Sequence, residues 1–225
     1  MEYKNYQQKY IFEGRCKIEL YQADCMEMLR QIPDNYYQLS LVDPPYGIGN
    51  WCPSNISKSG KKSSKSVDWN DSIPNKEYFD EIKRVSKEQI IWGANYYNCF
   101  NKIGGALIWH KGNINPVFSQ CEIASLSFGK KVDYVKINWQ AGFYREKKEG
   151  KQIHPCQKPV QLYKWLLQNY AKEGDKILDT HLGSGSIALA CYDLCYDLTG
   201  YEIDKEYYDN ACMRLERYQA QGQLF

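Results

Sequence analysis

Seven short runs rich in β-branched and aromatic residues alternate along the chain with segments of helical spacing: Lys17–Asp24, Leu39–Asp43, Gln89–Asn95, Ala106–Lys111, Cys121–Phe128, Lys176–Thr180 and Leu198–Ile203. Such alternation builds a mostly parallel sheet with helices on both faces, an α/β fold. The helix candidates are 75–86, 159–171, 186–194 and 204–219. Several of the strand candidates close on a polar group: Asp24, Asp43, Asn95, Asp179 and Glu202. In open parallel sheets ligands sit beyond the carboxyl ends of the strands, so these residues outline a site. With 225 residues, 43% of them apolar, the chain can bury one sizeable core, and a single domain over 1–225 is expected.

The run Leu39–Asp43 is followed at once by Pro44, Pro45, Tyr46 and Gly47. Proline cannot donate to a sheet ladder and forces the residue before it out of the helical region, so the strand must end directly after Asp43. Gly47 and Gly49 let the chain turn away. The result is a stiff ledge that holds a carboxylate and a tyrosine side by side at a strand tip.

A second strand end carries "LDTHLGSGSIALA", a glycine-rich turn leading into a helix. Gly183 and Gly185 allow close backbone approach to a ligand, while Ser184 and Ser186 could cap the helix or supply hydroxyl and N–H groups. The turn is neither GxGxxG nor a P-loop, which argues against pyrophosphate and triphosphate ligands. Glu202, at the end of the next strand, stands where an acidic side chain meets ribose hydroxyls in nucleoside-binding α/β folds. A nucleoside cofactor without phosphates fits both features.

Composition removes other classes. The nine cysteines form no CxxC pair and no zinc-finger spacing with His, so reduced thiols and no metal are expected. The polar, aromatic stretch after Met1 has no apolar signal core and no run reaches membrane-spanning length, which predicts a cytoplasmic protein without membrane association. Net charge is only +2, so any polyanion contact must be local. Two segments could make it: a Lys/Ser-rich mobile loop or lid at 50–70, with Lys58, Lys61, Lys62 and Lys65, and an aromatic-basic segment at 138–152, with Tyr144, Arg145 and Lys147.

Four pieces in one order, "DPPY" at 43–46, "HPCQKP" at 154–159, "LDTHLGSGS" at 178–186 and "GYEID" at 200–204, make the chain resemble the S-adenosylmethionine-dependent amino-methyltransferases of DNA in their permuted, β-class arrangement. The resemblance reaches from about Lys17 to the last helix and implies a Rossmann-like methyltransferase fold. It implies that Asp179, His181 and the turn Leu182–Ser186 (Leu182, Gly183, Ser184, Gly185, Ser186) hold the methionine part of the cofactor. Glu202 with Ile203 would hold the ribose and Asp24 with Cys25 the adenine, while His154, Cys156 and Lys158 would lie near the cofactor carboxylate. Asp43 would border both the cofactor and the substrate, with Asp43, Pro44, Pro45 and Tyr46 as the catalytic ledge. If the chain ends meet in space, Asp24 falls next to Glu202, and the first strand starts the sheet with no preceding partner.

The implied reaction is methyl transfer to an exocyclic amine of a flipped-out base in double-stranded DNA, as in restriction-modification systems. DPPY leans toward adenine N6 across the family, whereas Ser in place of the Asp leans toward cytosine N4. The alternatives are cytosine N4, an amine of RNA or protein, or an inactive DNA-binding remnant. No Pro-Cys pair stands on the ledge, against cytosine-C5 chemistry, and the deaminase pattern H-x-E with P-C-x-x-C is missing. The chain departs from the family at Thr180 and His181, where Pro and an aromatic or Cys are usual, at Ser186 for Thr, and at Cys156 for Thr. The region for target recognition is short, so 138–152 and the 50–70 loop would supply it alone, or a second subunit of a homodimer would help.

Overall fold

The structure, a computed structural model, describes residues 3–49, 70–97, 99, 104–112, 119–139 and 152–222. Nine strands form one sheet: β1 (Gln8–Glu13), β2 (Lys17–Gln22), β3 (Tyr37–Val42), β4 (Ser86–Trp92), β5 (Ala106–His110), β6 (Cys121–Leu126), β7 (Val132–Lys136), β8 (Lys176–Asp179) and β9 (Asp197–Glu202). Their order is β1-β2-β9-β8-β3-β4-β6-β5-β7. The five strands β2, β9, β8, β3 and β4 run parallel, β1 and β6 run against their neighbours, and β5 pairs with β7 in parallel.

Neighbouring residues of the parallel strands point to opposite faces, and both faces are covered. Leu20, Leu41, Ile90 and Ile177 join the core under helices α3 (Val160–Tyr170), α4 (Ser186–Leu194) and α5 (Lys205–Gly222). Their neighbours Tyr21, Val42, Ile91 and Leu178 face α1 (Cys25–Leu29) and α2 (Lys76–Val85). Burial on both sides explains why these strands read as continuous apolar runs rather than as alternating ones.

All seven expected strands and all four expected helices are present, with ends shifted by a few residues. Asp24 lies past β2, where it caps α1 by accepting from Met26 N at 2.8 Å. Gly93, at φ +75°, ends β4 before Asn95. The expectation that the first strand has no preceding partner is corrected: β1 pairs antiparallel with β2, Tyr10 opposite Leu20. This edge strand is half exposed, and its apolar run, Tyr10 to Phe12 between polar ends, is too short to read as a strand. Strands β2 and β9, far apart in sequence, do meet. Gln22 of β2 stands opposite Glu202 of β9, and Ala23 N donates to Glu202 O at 3.0 Å. No helix among the described residues is long and apolar enough to cross a membrane.

Candidate active site

Four carboxylates gather at one end of the sheet because β2, β9, β8 and β3 are parallel neighbours: Asp24, Glu202, Asp179 and Asp43 follow or close their strands in that order. The ledge occupies the Asp43 end. Tyr46 Oη donates to Asp43 Oδ1 at 2.5 Å, and Lys158 Nζ forms an ion pair with Asp43 Oδ2. The turn is held by Asn70, whose Oδ1 accepts from Tyr46 N at 2.9 Å while its Nδ2 donates to Gly49 O at 2.9 Å. From beyond β4, the buried Tyr97 hydroxyl reaches the carbonyls of Pro44 and Pro45 at 2.6 and 2.7 Å. The Tyr46 ring stacks on half-exposed Tyr96, with centroids 4.9 Å apart and planes within 15°.

Tyr46 also lies against the backbone at Gly93. A Cβ there would come within 2.3 Å of Tyr46 Cε1, at a φ of +75° that side chains rarely adopt. Gly93→Ala should therefore cost about 1–3 kcal/mol of stability. A denaturant midpoint equal to the parent's would show that Tyr46 can move aside freely.

At the β8 tip, Asp179 is buried and accepts from His181 N at 3.0 Å. Burial pushes its carboxyl up to about 7, and among the described residues it makes no ion pair. A desolvated carboxylate in that condition suits a bound cation. Glu202 accepts from Gly183 N at 2.8 Å and from Asp204 N at 2.9 Å, fixing the turn against β9. Gly183 and Gly185 both have positive φ, 51° and 68°, so glycine is required at this close approach.

Neither serine caps α4. The N-cap position is Gly185 and makes no side-chain cap bond. Instead Ser184 Oγ lies 3.1 Å from Ser186 Oγ, and buried Arg214 of α5 donates to Ser184 O and Ser186 Oγ, both at 2.9 Å. The turn is braced from behind by α5, a role no sequence signal announced.

Two of the four departures from the family pattern, Thr180 and His181, form one chain with Tyr78. Thr180 Oγ1 lies 2.7 Å from Tyr78 Oη and 3.0 Å from His181 Nδ1. Burial lowers His181 to about 4, so its imidazole is neutral at physiological pH. Cys25 is pushed up to about 12 by burial and stays a thiol. His154 packs edge-on to Tyr207 at 4.5 Å and lies beside Gly183, while Cys156 is exposed and its N–H donates to His154 Nδ1 at 3.2 Å. Ile203 is exposed beyond Glu202.

The structure thus brings Asp24, Cys25, Asp179, the residues from His181 to Ser186, Glu202 and Ile203 to the tips of β2, β9 and β8, with His154 above the turn. Lys158, expected near the cofactor carboxylate, is buried against Asp43 and lies 3.1 Å from Glu122 Oε2. Tyr97, Asn70, Glu122 and Arg214 went unnoticed in the sequence because each acts across the fold on a motif far away in the chain. Lys58, Lys61, Lys62, Lys65, Tyr144, Arg145 and Lys147, with nearly all of the two segments that hold them, lie outside the described residues.

Known proteins resemble this chain in sequence and fold. The DNA methylase family profile matches residues 124–213. The type II methyltransferase M2.DpnII of Streptococcus pneumoniae is 25% identical over 91% of this chain and 92% of its own length. The type II methyltransferase M.HinfI of Haemophilus influenzae is 24% identical over 86% of this chain and 67% of its own. Among solved structures, the M1.HpyAVI–S-adenosylmethionine complex superposes with a TM-score of 0.55 at 20% identity, covering 88% of this chain and all 100% of that one. The cytosine-N4-specific PvuII DNA methyltransferase gives 0.62 at 13% identity, covering 96% and 94%. At these identities the structures speak for the fold, a Rossmann-like methyltransferase sheet, and the cofactor of the family is S-adenosylmethionine. The matched profile and the relatives aligned along most of the chain thus make it similar to the N6-adenine/N4-cytosine DNA methyltransferases.

Proposed function

We propose that the chain methylates the exocyclic N6 amine of adenine in double-stranded DNA, with the target base turned out of the duplex onto the ledge. The observation that carries this reading is the meeting of Asp43 and the Pro44 carbonyl, two acceptors fixed on one stiff turn, with the Asp179–Glu202 end of the sheet. When bound, S-adenosylmethionine supplies a methyl group made electrophilic by its sulfonium. Asp179 would hold its cationic methionine end, Glu202 its ribose and Asp24 its adenine.

The ledge would do the rest. An exocyclic amine is a poor nucleophile while its lone pair is delocalised into the ring. Hydrogen bonds from its two N–H groups to Asp43 and to the Pro44 oxygen favour the pyramidal form and aim it, which is catalysis by position and electrostatics. Each acceptor already has one partner, but carboxylate and carbonyl oxygens keep a second lone pair for the amine. A flipped base stacking on Tyr46 would take the place now held by Tyr96. Phosphate contact is assigned to Lys58, Lys61, Lys62, Lys65, Tyr144, Arg145 and Lys147, on charge and aromatic content alone.

Cytosine N4 is the second reading, favoured by the fold shared with the cytosine-N4-specific PvuII enzyme. The deciding experiment incubates the protein with mixed-sequence duplex DNA and methyl-labelled S-adenosylmethionine, then identifies the labelled nucleoside by mass. N6-methyladenine is expected. N4-methylcytosine would transfer the assignment to the second reading. Unlabelled DNA from a protein shown to bind the cofactor would overturn both, in favour of an RNA or protein amine or a module without activity.

A further inference from the structure

A run of alternating charge lies beneath the ledge. Lys111, just past β5, meets Glu122 of β6 at 2.5 Å through Oε1; Glu122 Oε2 lies 3.1 Å from Lys158 Nζ, and Lys158 is paired with Asp43. The Lys158 side chain is only 4% exposed, and its third contact is Tyr46 Oη at 3.3 Å. Lys158 donates hydrogen bonds to Asp43 and Tyr46 and meets Glu122 as an ion pair, Glu122 Oε2 accepting no hydrogen bond among the described residues. Lys158 is committed to the ledge.

We propose that Glu122, backed by Lys111, is a positioning residue for methyl transfer: by drawing on the same ammonium as Asp43, it leaves the Asp43 carboxylate ionised yet only partly neutralised, and hence a strong acceptor for the target amine. The proposal rests on the function proposed above. Two simpler arrangements would each fail. Without a cation, burial would protonate Asp43 and make it a donor. With a lysine paired to Asp43 alone, the ammonium would satisfy the carboxylate and compete with the amine for it. A cation shared between two carboxylates lies between these limits.

Burial works against the charges of both Glu122 and Lys158, but each is outweighed by its opposite partners. Lys158 and Lys111 hold Glu122 down at about 2, and Asp43 and Glu122 hold Lys158 up. Both are therefore charged at neutral pH. For Asp43 itself burial is the larger influence and pushes its carboxyl up, with Lys158 and Tyr46 pulling against it and Glu122 adding to it. The other groups facing Asp43 are Tyr97 beyond β4, Tyr163 of α3 and Asp179 of β8. Burial keeps the tyrosines neutral, so among these groups Asp179 is the one further carboxyl to be removed before Asp43 is followed.

The test follows Asp43 by carbon-13 carboxyl NMR in the cofactor-free protein carrying Asp179→Asn, with the signal assigned by its loss in Asp43→Asn. Glu122→Gln should lower the Asp43 midpoint by about one pH unit, and Lys158→Met should raise it by at least as much. Shifts of opposite sign are not what general loosening of the site would give. In the otherwise native chain, Glu122→Gln should lower kcat about tenfold while cofactor Kd stays within about twofold. An unmoved or raised midpoint in Glu122→Gln overturns the proposal, as does a kcat equal to the parent's. Should Lys158→Met fail to fold, Lys158→Arg keeps the charge and should leave the midpoint near the parent's, with Glu122→Gln still decisive. If the midpoints move as expected but the native protein methylates no DNA, the proposed function fails and the charge sharing stands.

Discussion

Asp43→Ala should reduce methyl transfer by about 10²–10³-fold while cofactor affinity stays within about threefold. The expectation follows from what Asp43 touches. Its carboxylate faces Tyr46 and Lys158 on the ledge, whereas the cationic end of the cofactor is assigned to Asp179, which belongs to a different strand. Removing it deletes an acceptor that matters as the amine becomes pyramidal, so the loss belongs in kcat rather than in cofactor Kd. Lys158 keeps Glu122 and Tyr46 as partners, which limits the structural damage. Single-turnover rates and calorimetric cofactor binding on one preparation check both halves. Turnover near that of the parent would remove Asp43 from the chemistry, and a large loss of cofactor binding would move it to the cofactor site.

The second large effect is a pH dependence of cofactor binding. The Asp179 carboxyl, pushed up by burial to about 7, is mostly protonated in the empty protein below that pH, and a neutral acid cannot pair with an ammonium. Cofactor affinity should therefore rise about tenfold per pH unit toward pH 7 and level off above it, with one proton released on binding in the acidic range. Calorimetry in buffers of different ionisation enthalpy measures that proton directly. Asp179→Asn should abolish the slope, and a slope that survives in this variant would assign the proton elsewhere. The same group affects folding. Its folded pKa lies above the unfolded value of about 4, so the empty folded protein holds a proton that the unfolded chain has given up. Its contribution to stability therefore falls as pH rises from about 4 to about 7.

The central sheet was legible because burial on both faces sets apolar residues at adjacent positions, Leu41 with Val42 and Ile177 with Leu178, and proline or glycine follows where the strands stop. The peripheral elements were not. β7 buries only Val135 among its five residues, and α1 is too short to show a helical period. At the site, motifs announced residues whose chemistry is carried by local spacing: Asp43 before two prolines, Gly183 and Gly185 before a helix. Contacts across the fold left no such trace. Lys158 could be named from its motif, but its placement against Asp43 depends on how the segment leading into α3 crosses the end of β3 and meets Glu122 on β6. Likewise Tyr97 and Arg214 are ordinary residues until the sheet sets them behind the ledge and the turn.

The seam between β2 and β9, where Ile18 faces Leu198, also governs when the protein can become functional during its own synthesis. Strand β2 is made before β9, the last strand among the described residues, and must keep one edge open until β9 arrives to fill it; β1 shields only the other edge. Pairing across so long a stretch of chain is slow, because the loop must close before the contact repays it. Until then Asp24 and Glu202 have no common pocket. A nascent chain can build the ledge around Asp43 well before Asp24 and Glu202 come together, which happens only when β9 inserts between β2 and β8.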